Sequence, residues 1–396
     1  MRKYRTLILF IMLYCIGKIL KNSIISLDNG AEGGFWNIIT LLLEAWALLL
    51  LIGNGRITIT KHRNIYSVGF FYSFFAIINS LITLNNISVS LMYYIITLPF
   101  FVLVAYLSCS VFQELDLESE SEKLGRITSI YILAISVLVS VSLLYIILFN
   151  INSSATSNVY YLLLLFPMLA ISNNKKVSLA YYILTFVSVV ISNKRGALVG
   201  FVISIVIFTL VDSYVSQRAN KKIRRIFLLL MGAVVFVFIF SKLQNYFEIT
   251  LIRRMQYMID NQTLGVRSQI YNTIINELKR SSSFELVFGH GLKSVSKLFG
   301  TKGWQAHNDF LQVLYELGVF PFLCLVLMYL RLIGESIRLI KKKSKLAPYF
   351  VYITLISLFV SMMSYYIITT EYVIIGMTSL GMLIALTRKE TVNEYI

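Results

Sequence analysis

Two stretches of this chain, 64–112 and 127–174, contain no Asp, Glu, Lys or Arg. Few folds can accommodate uncharged runs of that length. Each holds enough apolar residues for two crossings of a bilayer core of about 30 Å, at roughly 20 residues per crossing. Short polar hairpins join the halves, at Asn85-Asn86 in one stretch and from Asn150 to Asn158 in the other. Similar apolar runs recur from end to end, and only 14% of residues are charged. The expected fold is an all-α polytopic membrane protein forming a single transmembrane domain, 1–396.

Twelve helices are expected, at about 4–20, 35–53, 65–84, 88–112, 127–149, 159–172, 177–193, 196–213, 226–242, 308–333, 349–368 and 371–387. The shortness of 159–172 and 371–387 leaves eleven open. The N-terminal Met1-Arg2-Lys3-Tyr4-Arg5 opens like a signal peptide. No small-residue cleavage pattern follows, and the run ends at Lys18 and Lys21, so it reads as a retained helix. Cys15, Cys109 and Cys324 all fall in apolar segments and read as small core residues.

Lys and Arg set the orientation. With the N-terminus cytoplasmic, one side collects Arg56, Lys61 and Arg63; Lys123 and Arg126; Lys175 and Lys176; the run from Arg218 to Arg225; Lys341 to Lys345; and Arg388 and Lys389. The short loops around Asn85, Asn150 and Thr370 carry no Lys or Arg. Both termini are then cytoplasmic and residues 243–307 form one long extracytoplasmic loop. The net charge of +17 follows from this bias and from that basic loop, not from nucleic-acid binding. Within the loop, 249–259 and 266–278 have helical apolar spacing, with Ile270, Ile274, Ile275 and Leu278 on one face. Two amphipathic helices over the membrane mouth are expected, followed by a glycine-rich turn at Gly289-His290-Gly291.

The outward side holds the residues able to do chemistry. The tight turn containing Lys194 and Arg195 lies there against the charge bias; its plainer reading is a snorkelling anchor pair. A guanidinium offers a planar donor fork suited to phosphate, so Arg195 with Arg267 from the loop fits a diphosphate clamp. A solvated helix face is the plainer reading of Arg267. His307 sits where the loop re-enters the membrane. A neutral imidazole there can accept a proton from an attacking hydroxyl, or simply hold the loop. Asn308 and Asp309 can cap the next helix, and Asp309 can orient the ring. His290, between two glycines, reads as a turn residue; His62 is predicted cytoplasmic and is assigned no role. Glu316 and Glu44 are carboxylates at or near membrane depth, functional candidates that also fit structural pairing. The run Glu114, Asp116, Glu118, Glu120, Glu122 alternates with a period of two, which fits neither a helix face nor a calcium loop, and reads as a solvated linker. No nucleotide, serine-hydrolase or zinc motif is present, and no cofactor or metal is expected.

At three places the chain resembles the O-antigen polymerase and O-antigen ligase superfamily of bacterial envelope glycosyltransferases. Ser192-Asn193-Lys194-Arg195-Gly196-Ala197 is similar to its Ser-Arg-Gly-Ala turn, with Asn-Lys inserted. Gly265-Val266-Arg267 and Gly289-His290-Gly291 resemble its loop arginine and Gly-x-Gly turn. His307-Asn308-Asp309-Phe310-Leu311-Gln312, with Glu316-Leu317-Gly318, resembles its re-entry motif. The resemblance implies a plasma-membrane enzyme that polymerises oligosaccharide repeats carried on undecaprenyl diphosphate into O-antigen or capsule. Arg195 and Arg267 would bind the diphosphate and His307 would activate the acceptor hydroxyl. Arg254 and Arg280 each precede a glycine, Gly265 and Gly291, at a spacing discussed for such polymerases, and join Lys194, His290, Asp309 and Glu316 as supporting candidates. Membrane lipids, a flippase and chain-length regulators would be partners. Ligase-type transfer of finished polymer and a flippase or transporter role are the alternatives.

Overall fold

The computed structural model describes residues 2–24, 42, 45, 63–84, 92, 95–115, 117–148, 158–172, 174–192, 194–216, 266–300, 304–364, 366–367 and 370–393. These residues are helical throughout apart from turns and short connections. In order the helices are α1 (Arg2–Ile24), α2 (Arg63–Ile82), α3 (Phe100–Glu114), α4 (Leu117–Leu148), α5 (Val159–Leu165, continued by a 3₁₀ turn, Phe166–Ala170), α6 (Lys175–Ile191), α7 (Arg195–Val215), α8 (Val266–Arg280), α9 (Ser283–Phe288), α10 (Ser294–Leu298), α11 (Asp309–Leu317), α12 (Val319–Lys341), α13 (Ala347–Met363) and α14 (Thr370–Asn393).

Among the described residues, five helical stretches are long and apolar enough to cross a membrane: Ile95–Glu114, Ser119–Ile146, Gly196–Val215, Val319–Lys341 and Tyr372–Glu390. Shorter apolar helices lie at Tyr4–Cys15, Tyr66–Ile82, Val159–Ala170 and Ala347–Met363. Among the twelve expected segments, 226–242 and, apart from Leu42 and Ala45, 35–53 fall outside the described residues, as do Glu44 and His62. Two expectations are corrected. The acidic run is no linker past Leu115, since α4 begins at Leu117 and takes Glu118, Glu120 and Glu122 into its first turns. The segment 308–333 is two helices, broken at Gly318.

The bundle is organised around α5, whose residues are all buried. Helix α14 packs along α3, α13 along α7, α12 along α2, and α4 against both α6 and α1. Apolar burial drives little association between helices already in lipid, so packing and cross-helix hydrogen bonds carry it, at about 0.6 kcal/mol for a typical bond. Such bonds recur: Ser140 to Ser188 at 2.9 Å, Ser129 to Ser172 at 2.8 Å, and Tyr329 to Ser361 at 2.6 Å. Leu179, Ile183, Phe70 and Phe74 stay exposed on the outer faces, as lipid contact requires.

The described part of the loop has a small core of its own, in which Ile270, Ile274, Val295, Ala306 and Tyr315 are buried together. Helix α8 thus packs on α11 and not on the bundle mouth alone. Ile275, expected on the same apolar face, is 40% exposed because it falls on the far side of the turn.

Candidate functional site

The site forms where the loop meets α11. Residues 304–306 lead without regular structure to His307, whose backbone is left-handed at φ 50°. That geometry is uncommon for a residue with a Cβ, and the surroundings hold it in place. The Ala306 amide donates to Gln312 Oε1 at 3.0 Å, and the Tyr271 hydroxyl of α8 donates to the His307 carbonyl at 3.4 Å. Asn308 caps α11, its side chain accepting from the Leu311 amide at 3.0 Å.

Asp309, read from the sequence as a cap or as a partner of the histidine ring, bonds elsewhere in the chain. Its buried carboxylate accepts the amides of Tyr366 and Ile367 at 2.8 and 2.9 Å, and so latches the connection between α13 and α14 to α11. Burial holds its pKa up at about 6 despite these two donors.

His307 is half-buried, and its pKa is pushed down to about 4, first by burial and then by the charges of Arg267 and Lys194. The ring is therefore neutral at physiological pH. Arg267 enters from the first turn of α8, and its charge also reaches the Tyr160 hydroxyl at the head of α5. A Cβ on Gly196 would stand 3.0 Å from that same hydroxyl, which fixes the start of α7 beside it. Lys194, Arg267, Tyr160 and His307 thus surround the beginning of α7. Arg195 is the first residue of that helix; its side chain lies outside the described residues. The Lys194 side chain does not cap α7, whose first amides add donors to the cationic surroundings.

The glycine-rich turn is a brace for α11. The amides of His290 and Gly291 donate to the carbonyls of Tyr315 and Glu316 at 2.9 and 3.0 Å. The His290 ring stacks on Tyr315 at 4.1 Å, with Nε2 3.1 Å from the Ser281 hydroxyl. Gly289 (φ 82°, ψ 174°) and Gly318 (φ 85°, ψ −174°) lie back to back, in a region open essentially to glycine alone. A Cβ on Gly289 would meet the Glu316 carbonyl at 2.3 Å, and one on Gly318 the Val287 carbonyl at 2.2 Å. Asn79 of α2 closes the junction by donating to the carbonyls of Val287 and Leu317 at 3.1 and 2.5 Å. Nothing in the sequence marked Asn79 except an amide near the end of an apolar run.

Glu316 belongs to a second polar group. It accepts from Gln312 Nε2 at 2.7 Å and from the Val295 amide at 3.2 Å. Its pKa is raised to about 7, chiefly by burial. Arg280 is not brought to the site; it points to solvent, 3.4 Å from Glu277. Arg254 lies outside the described residues. Among the described residues, no three His, Cys, Asp or Glu side chains converge as a metal site would need.

Residues 180–326 match the family model described as O-antigen ligase. The match runs from α6 into α12 and takes in Lys194, Arg195, Arg267, His307 and both glycine motifs, in agreement with the resemblance drawn from those motifs. It supports a multi-pass membrane protein of the O-antigen polymerase or ligase type. No curated protein matches the chain.

Proposed function

We propose that the segment matching the O-antigen ligase family is the catalytic half of a membrane glycosyltransferase that polymerises oligosaccharide repeats carried on undecaprenyl diphosphate. The observation that carries this is the neutral, part-buried His307 set beside Arg267, Lys194 and the uncapped start of α7. Cations and helix-end amides suit a diphosphate, and a neutral imidazole suits an acceptor hydroxyl. In the reaction, the acceptor oxygen bonds to the anomeric carbon at the reducing end of the growing chain. The bond from that carbon to the diphosphate breaks, its electron pair leaving with undecaprenyl diphosphate. The acceptor proton passes to a ring nitrogen of His307.

The cations have a second effect. Without substrate, Arg267 and Lys194 help keep His307 a weak base. A bound diphosphate offsets their charge and raises the basicity of the ring when the acceptor arrives. Preorganised charge of this kind, aimed at the departing anion, is commonly the largest contribution to such catalysis.

This reading places the site on the extracytoplasmic face, with both termini cytoplasmic. Flippase or chain-length proteins would act beside it. Ligase-type transfer of finished polymer uses the same residues, and the description of the matched family favours it as the second reading. The charges at this site gather at the loop end and not within the spanning helices, which favours a transferase over a transporter.

The test is the repeat-length ladder in cells carrying His307→Ala. Monomeric repeats at normal protein level are expected, and wild-type polymer refutes the role of His307. Purified protein in liposomes separates the two transferase readings. A ladder built from lipid-linked repeats alone marks a polymerase, and transfer only to an added lipid acceptor marks a ligase.

A further inference from the structure

The loop carries an apolar element that the rest of the protein does not bury. Four of the six residues of α9 are large and apolar, Phe284, Leu286, Val287 and Phe288, and none is buried. Val287, Phe284 and Phe288 fall within one arc of about 100° on the helix surface. Phe284 stands at the centre of that arc and is 55% exposed, its ring 4.8 Å from that of Phe288. Glu285 lies outside the arc, where it closes the capping box with Ser282 and stands 4.0 Å from His290 Nε2.

The aromatic side of α9 adjoins a surface that faces lipid. Helix α9 packs on α12 and α2, with the Val287 carbonyl against Gly318 and bonded by Asn79. From that contact Phe320, Leu323, Leu327 and Leu330 run along one face of the spanning helix α12, and all are exposed. Phe75 of α2 stacks on Phe320 at 5.3 Å, and Leu81 and Ile82, just past Asn79, are exposed as well. Phe284 therefore extends the lipid-facing surface beyond the end of α12. Lys279 and Arg280, exposed in the last turn of α8, come immediately before α9. Aromatic rings flanked by cations suit the boundary between acyl chains and phosphates.

We propose that α9 is an interfacial anchor, with Phe284 and Phe288 inserted into the leaflet that meets this end of the bundle. The partner is phospholipid itself. The inference rests on the spanning helices and not on the transferase reading. A second copy of the chain is the rival occupant, but the unbroken run from Phe284 to the α12 stripe and the adjoining cations favour lipid. Because Gly289 and His290 follow α9 directly, the anchor would hold their brace on α11 at the membrane surface.

The experiment uses the full chain in nanodiscs of phosphatidylethanolamine and phosphatidylglycerol. Cys15, Cys109 and Cys324 are buried, so the native chain is the blank for thiol labelling. Spin labels are placed separately on Phe284→Cys and Phe288→Cys, with Asn272→Cys on the exposed side of α8 as the reference. Power saturation with oxygen and with a water-soluble nickel chelate reads their depth. The labels at 284 and 288 should lie about 5–10 Å below the phosphates, with an oxygen-to-nickel collision ratio about threefold or more above that at 272. Nickel collisions at both positions as frequent as at 272 place α9 in water and overturn the proposal. Shielding from both reagents means a protein cover and also overturns it, with spin–spin broadening between labels identifying a second copy. Labels in lipid on a chain that transfers no sugar would sink the transferase reading and leave the anchor standing.

Discussion

Replacing either junction glycine by alanine tests the architecture at its narrowest point. Gly289 and Gly318 hold backbone conformations that cost a residue with a Cβ about 1–3 kcal/mol. Here the added methyl also has nowhere to go. At Gly289 it meets the Glu316 carbonyl, and at Gly318 the Val287 carbonyl, in both cases main chain and not the end of a flexible side chain. Relief requires α9 and α11 to separate. That weakens the bonds from the His290 and Gly291 amides to Tyr315 and Glu316 and those from Asn79 to Val287 and Leu317. With about half of these four bonds lost at about 1 kcal/mol each, added to the strain, either substitution should cost roughly 3–5 kcal/mol, a large share of a stability of about 5–15 kcal/mol. Because both open the same junction, the double variant should cost well under the sum of the singles. Thermal unfolding in detergent, followed by tryptophan fluorescence, reads the cycle, with transfer activity measured in parallel because the junction also holds the segment that carries His307. Singles within about 0.5 kcal/mol of wild type, or strictly additive costs, would refute the reasoning.

Arg267→Gln removes one of the positive charges that hold His307 down, so the imidazole pKa should rise from about 4 toward its ordinary 6.5; an unchanged titration of ¹³C-labelled histidine would show that the two do not interact. Glu316→Gln tests linkage. The folded-state pKa of Glu316 lies at about 7, above the ordinary 4.5, so its contribution to stability is complete below pH 4.5 and declines as pH rises toward 7. His307, depressed in the fold, pulls the other way, with stability gained as pH rises from about 4 to 6.5. The comparison is therefore the difference between variant and wild type. Wild type should lose stability relative to Glu316→Gln between pH 4.5 and 7, and a flat difference curve would contradict the burial of that carboxyl.

The helices in lipid were legible because span length and the absence of charge are properties of single segments. The break at Gly318 was not. Residues 308–333 read as one apolar helix, and only the approach of Gly289 from the loop explains why the chain must turn there. The alternating acidic run concealed the start of α4, because its every-second-residue spacing does not mark a helix face. His307, Arg267 and Lys194 could be set on one side of the membrane from topology and motif, in the re-entry, the loop and the short outward turn. The polar group around Glu316 was only half visible. Gln312 and Glu316 stand four apart on α11 and so share a face, but nothing local ties the Val295 amide to them. Asp309 was read as a cap of the next helix or as a partner of the histidine, whereas its bonding partners, the amides of Tyr366 and Ile367, carry no side-chain signature at all.

The Asp309 latch also bears on how such proteins can be recombined. One carboxylate ties the loop's re-entry point to the connection between the last two helices, and Asn79 ties the same region back to α2. A chimera that exchanged only residues 243–307 would keep the latch yet cut across the bond from Asn79 to Val287 and those from the His290 and Gly291 amides to α11. Among the described residues, a block that keeps these attachments together runs from Val266 to Ile367, with residue 79 matched in the host. Shifts in sugar preference among relatives should therefore track substitutions scattered over that whole block, and swaps with borders drawn at the loop ends should yield inactive hybrids.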